Sequence, residues 1–118
     1  QELRLKITKY SASDGEEYFL EIVNKEDVLF GLLRLRIVKG NALIRELHIY
    51  GKSLNLHEEN FNAIQHKGLG KWLMEEAEKI ANKQKIKIIS VISGVGVRQY
   101  YKNLGYSLKD TYMIKDLK

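Results

Sequence analysis

Apolar and polar positions alternate strictly at the start of the chain. Leu3, Leu5 and Ile7 interleave with Arg4, Lys6 and Thr8 on the way to Tyr10, the period of two that lays one face of a β-strand on a core. Ser11–Glu17, with Asp14-Gly15 inside it, predicts a hairpin turn, and Tyr18–Asn24 a second strand. After a turn over Asn24–Asp27 the alternation returns in Val28–Val38, where Leu33, Leu35 and Ile37 oppose Arg34 and Arg36. Beyond Gly40-Asn41, the segment Ala42–Tyr50 reads as a fourth strand. Four strands joined by short turns predict an antiparallel meander.

The pattern changes at Gly51. Gly51–Gln65 is polar and without period, which predicts a loop of about fifteen residues, long enough to suggest a functional role. From Gly68 to Asn82, Leu69, Leu73, Ala77, Ile80 and Ala81 follow helical spacing, with Glu75, Glu76 and Lys79 on the other side. Lys87–Ile92 predicts a short strand buried on both faces. Gly94-Val95-Gly96 reads as a hinge-like loop, and Val97–Leu104 as a short helix that Gly105 stops. Tyr106–Leu117 closes the chain as one or two strands. The order β-β-β-β-α-β-α-β predicts an α+β fold in one domain over residues 1–118.

Composition narrows the chemistry. The 118 residues include no cysteine, which excludes disulfide scaffolds, zinc–thiolate sites, iron–sulfur ligation and cysteine nucleophiles. No apolar run approaches the ~20 residues of a membrane span, and no signal peptide opens the chain, so a cytoplasmic protein without a membrane partner is expected. The net charge of +5 permits a polyanionic partner without requiring one. The many lysines lean towards a thermophile. Gln1 in place of Met suggests a piece of something longer.

The candidate chemistry centres on Gln65-His66-Lys67-Gly68-Leu69-Gly70-Lys71. Placed at the opening of an amphipathic helix, such glycines let a backbone approach a ligand, and the free N–H groups of a first helical turn favour a pyrophosphate. The ending of a Walker loop is absent, and so are the third glycine and trailing acid of a dinucleotide fingerprint. Gln-x-x-Gly-x-Gly is instead similar to the pyrophosphate loop of the GNAT acetyltransferases. Together with Arg45–Gly51, Leu73–Glu78 and Ile92–Tyr106, it resembles the acetyltransferase domain of the Elongator catalytic-subunit family, over about Leu32 to Met113. An archaeal member is expected.

That resemblance implies a GNAT-type fold and an acyltransferase acting in tRNA wobble-uridine modification, where acetyl-CoA supplies the carboxymethyl group at C5. It implies tRNA as partner, and a radical-SAM domain of the same chain that carries S-adenosylmethionine and a 4Fe-4S cluster. Without cysteine, this chain can be only the acetyl-CoA half. The resemblance assigns acetyl-CoA binding to Glu46, Leu47, His48 and Ile49, to Gln65, His66, Lys67, Gly68, Leu69, Gly70 and Lys71, and to Tyr101. It makes Tyr101 the donor to the leaving thiolate, with Tyr100 its neighbour, and puts Glu46 where lysine acetyltransferases keep a general base. A carboxylate paired with Arg45 or Lys52 is the plainer reading of Glu46.

Other readings stay open. Protein-lysine acetylation is one, and a non-catalytic acyl-CoA-binding or tRNA-docking module is another. Trp72 and Met74 suit packing, and Lys83–Lys87 suits a solvated helix end. His48, His57 and His66 have no spacing that assembles a metal site, and none is expected. Most free-standing enzymes of this fold place two helices between the first two strands, whereas Ser11–Glu17 has room only for a turn, so the first helices of the fold are missing.

Overall fold

The structure, a computed structural model, describes residues 2–50 and 56–117, with backbone alone for 56–67. Four strands come first: β1 (Arg4–Ala12), β2 (Gly15–Val23), β3 (Leu29–Val38) and β4 (Asn41–Ile49). A long helix α1 (Leu56–Lys83) leads to β5 (Ile88–Ile92), followed by a 3-10 turn at Val95–Val97 and a short helix α2 (Arg98–Asn103). The strands β6 (Ser107–Lys109) and β7 (Tyr112–Asp116) close the chain. All seven strands form one sheet in the order β1-β2-β3-β4-β5-β7-β6. Only β4 and β5 run parallel. No helix among the described residues is long and apolar enough to cross a membrane.

The period-two segments become the strands because their apolar halves share a face. Tyr18, Leu20 and Ile22 of β2 pair with Leu35, Leu33 and Gly31 of β3, and Leu20, Ile22, Leu33 and Leu35 are fully buried. Onto that face α1 lays Leu69, Leu73, Ala77 and Ala81, four residues apart and all buried. Met74 is buried beside them and Trp72 partly so, as packing residues. A two-residue turn joins Ala12 to Gly15, so β1 passes straight into β2 with no helix between them, as the sequence predicts. The opposite face of β1–β3 carries Phe19, Glu17, Arg34 and Arg36.

Three sequence expectations need correction. The strand β5 is buried on one face only: Ile89 and Val91 are buried, whereas Ile88 and Ile92 are exposed because no helix covers their side among the described residues. Residues 56–65 are helical and not loop, because nothing in Leu56–Gln65 stops a helix: there is no proline and no glycine. The polar run Glu58-Glu59-Asn60 and Asn62 hide the helical period there. Gly94-Val95-Gly96 lies in the 3-10 turn that introduces α2 rather than in an open hinge. Gly105 ends α2 as expected, in the left-handed region at φ 96°.

A buried polar cluster fastens the second half of the sheet to α1. Tyr106, nearly fully buried, donates its hydroxyl to Glu78 Oε2 at 2.7 Å, and Lys115 Nζ donates to Glu78 Oε1 at 3.1 Å and to the Leu104 carbonyl at 3.2 Å. Desolvation, then the Glu78 carboxylate, hold the Tyr106 phenol well above its usual range. An unfolded chain releases that proton near pH 10, while the folded one keeps it. Stability is therefore complete below pH 10 and falls as pH rises beyond it. Circular-dichroism melts should show Tm dropping from about pH 10 upward, less steeply in Tyr106→Phe. At pH 7 that variant should lose about 1.5–3 kcal/mol for the missing bond to a charged acceptor.

Candidate active site

The site begins with a single extra residue in β4. Leu35 pairs with Ile44 and Arg34 with Glu46, so Arg45 is a bulge. Before it, Ala42 and Ile44 face the core and are buried; after it, Leu47 and Ile49 take over that face. Glu46 and His48 therefore point to the opposite side. Bulges also sharpen strand twist. Accordingly β4 pairs with β5 only over Ala42–Ile44 against Ile89–Val91, and the remainder of β4 has no partner strand on that side among the described residues. The skip in spacing, Ala42-x-Ile44-x-x-Leu47-x-Ile49, is the sequence signal for this bulge, which plain alternation overlooks.

On the far side the acidic and basic groups of β4 find partners. Glu46 Oε1 accepts from Arg34 Nη1 at 3.4 Å, and its Oε2 lies 2.8 Å from His48 Nε2. The His48 ring stacks on Tyr50, with centroids 6.1 Å apart. Glu46 does not pair with Arg45, as the plainer reading had it, and Lys52 lies outside the described residues. Arg45 turns instead towards Glu17, with Nη1 3.8 Å from a carboxylate that Arg36 already holds. The cause is the bulge, which carries Arg45 past Glu46 to the buried carboxylate of β2.

The glycine segment sits differently from expectation. Gln65–Lys71 lies well inside α1, about three turns after Leu56, and not at a helix start. The N–H groups there belong to the helical ladder. The side chains of His57, Gln65, His66 and Lys67 are outside the described residues, Leu69 packs in the core, and Lys71 is exposed. Gly70 has a reason internal to the fold: a Cβ there would run into the Tyr100 hydroxyl and come within 3.9 Å of Ile49 Cγ1. Among the described residues nothing lies within 4 Å of a Cβ at Gly68. Thus β4, α1 and α2 converge at Ile49, Gly70 and Tyr100.

Tyr100 and Tyr101 part as adjacent helical residues must. Tyr100 is half-buried over Gly70, while Tyr101 is buried against Tyr100 and Tyr106, with ring centroids 5.2 and 6.1 Å away. Desolvation raises both phenols, that of Tyr101 to about 12. Both are therefore fully protonated at neutral pH.

Residues 2–106 match the acetyltransferase (GNAT) family profile. The chain belongs to the GNAT acetyltransferase family. This GNAT domain is 43% identical over 126 residues to the tRNA uridine(34) acetyltransferase of Dehalococcoides mccartyi, a match covering 96% of this chain and 28% of the relative. The archaeal Elp3 of Methanocaldococcus infernus superposes with a TM-score of 0.82 and 39% identity, covering 98% of this chain and 30% of that one. The PaiA N-acetyltransferase of Thermoplasma acidophilum, solved in complex with coenzyme A, superposes with a TM-score of 0.62 and 28% identity, covering 85% and 60% of the two chains. The chain thus spans under a third of the length of the curated relative.

The Gly70–Tyr100 contact can be measured. Alanine exceeds glycine in helix propensity by about 1 kcal/mol, yet Gly70→Ala should destabilise the domain by about 1–2 kcal/mol because the phenol must move. In a Tyr100→Phe background that cost should shrink or change sign. A urea-denaturation double-mutant cycle reads the difference.

Proposed function

We propose that this chain is the acetyl-CoA-using part of an enzyme that modifies the wobble uridine of tRNA, towards a carboxymethyl group at C5. The observation that carries the reading is the gap beyond Ile44 between β4 and β5, bordered by Ile49, Gly70 and Tyr100. A strand edge without a partner offers N–H and C=O groups to a pantetheine arm, as it would to another strand. In this reading Leu47–Ile49 hold the arm and the thioester carbonyl through their backbone. Lys71 and the Gln65–Gly70 turns of α1 lie on the phosphate side. Two glycines within three residues weaken the helix by about 1 kcal/mol each relative to alanine, so α1 can open at Gly68 and present its N–H groups to a pyrophosphate.

Tyr101 then serves the leaving group. With its phenol raised to about 12, against about 8.5 for a thiol, complete proton transfer to a departing thiolate is uphill. A hydrogen bond to the developing charge on sulfur is the favoured role. Such a preorganised donor is worth about 10²–10³ in rate. The radical-SAM domain with its iron–sulfur cluster belongs to the rest of such an enzyme, because this chain has no cysteine. A net charge of +5 suits a tRNA partner.

Two measurements test the reading. Gly68→Asp meets no described residue within 4 Å of its Cβ, so it should leave Tm nearly unchanged while weakening acetyl-CoA binding by about tenfold or more through repulsion of the phosphates. Calorimetry that finds equal affinity removes the α1 glycines from the site. Tyr101→Phe should lower CoA release about 10²-fold with little change in affinity. Because the phenol stays protonated to about pH 12, it should put no falling limb on the rate between pH 7 and 10.

A further inference from the structure

We infer that His48 is the proton acceptor of this site and that Glu46 is its positioning residue, acting through the imidazole rather than as the base itself. The inference rests on the proposed acetyl-CoA reading and adds to it the group that activates the nucleophile. Three observations combine. Glu46 is already engaged, by Arg34 Nη1 at 3.4 Å and by His48 Nε2 at 2.8 Å. The His48 side chain is 54% exposed on the unpartnered half of β4, two residues from its carboxylate partner and on the same side of the strand. Tyr50 stacks along its ring.

The groups facing His48 are few. On its own strand they are Glu46 and, just beyond the strand, Tyr50; on β3 they are Leu32, directly opposite, and Arg34, which reaches it through Glu46. No β5 residue pairs with this half of β4. A carboxylate oxygen so near Nε2 favours the tautomer with the proton there, which leaves Nδ1 as the accepting nitrogen. Carboxylate-oriented imidazole is a recurring arrangement for general bases. Arg34 has a further consequence. A guanidinium paired with Glu46 offsets the pull of that carboxylate on an incoming ammonium, so a neutral nucleophile suits the site, water in the simplest case.

The step balances without another reagent. The water oxygen attacks the thioester carbonyl carbon as His48 Nδ1 takes its proton. The C–S bond breaks, and the sulfur leaves with the electron pair, hydrogen-bonded by Tyr101; the proton held on His48 then passes to it through solvent, which gives the thiol and restores the neutral imidazole. Acetic acid keeps the new C–O bond and the second water hydrogen, and loses that proton to solvent as acetate.

The test is CoA release from acetyl-CoA by the full chain across pH 5–9, with and without tRNA, alongside calorimetric affinity for acetyl-CoA. The wild-type rate should rise with pH along one limb within this window. His48→Gln should lose that limb and about 10²-fold or more in rate at pH 7.5, with affinity kept within about threefold. Imidazole in the buffer should restore part of the rate in His48→Ala. Glu46→Gln should keep the rising limb with about a tenfold loss of rate and unchanged affinity, and Glu46→Asp should recover part of that loss. A merely structural Glu46 would instead lower affinity and Tm together. Full turnover in His48→Gln, or a limb that survives there and vanishes in Glu46→Gln, overturns the inference, as does wild-type binding of acetyl-CoA without release of CoA at any pH. Absence of wild-type binding overturns the acetyl-CoA reading instead, which keeps the two failures apart.

Discussion

The extra residue at Arg45 is the constraint on which the site depends. Strict alternation through β4 would send Glu46 and His48 into the core beside Leu33 and Leu20. Burying a carboxylate there without a partner costs several kcal/mol. The bulge shifts the phase by one, so Leu47 and Ile49 fill the core positions and both polar side chains emerge on the far face. The same insertion explains why β4 leaves β5 after only three paired residues. One backbone irregularity thus opens the gap and sets the groups beside it.

Much of this was legible in the sequence, and the failures have physical causes. The strands around Leu33, Leu35 and Ile37 showed themselves because one of their faces meets a core. The helix beyond Gly68 did so through Leu69, Leu73 and Ala77. The same signal is silent over Leu56–Gln65, where the helix continues without a readable apolar stripe, so the glycine segment was placed at a helix start it does not occupy. Gly70 illustrates the limit of motif reading. Its lack of a side chain fits a phosphate site, but the Tyr100 hydroxyl in its Cβ space is reason enough for glycine there. Gly68 has no such neighbour among the described residues.

Tyrosine burial is the second organising element. Tyr106 anchors to Glu78 of α1, and its backbone N–H donates to the Tyr101 carbonyl at 3.0 Å. Tyr101 packs between Tyr106 and Tyr100, and Tyr100 rests on Gly70. This chain of contacts ties α2 to α1 through aromatic rings and one charged hydrogen bond. Desolvation along it keeps the Tyr101 phenol protonated, so its O–H stays available as a donor.

The direct passage from β1 to β2 bears on what the site can accept. Without helices between these strands, the far face of the sheet is lined by the strands' own charges. Glu17 is held between Arg36 and Arg45, and Glu46 between Arg34 and His48. Each carboxylate thus meets at least one guanidinium, and arginine does not release its proton in this pH range. Arg34 offsets the charge of Glu46, which weakens the pull of that carboxylate on a cation, and His48 Nε2 is held by its other oxygen. Strand register, rather than any helix wall, sets the charges that border the proposed site.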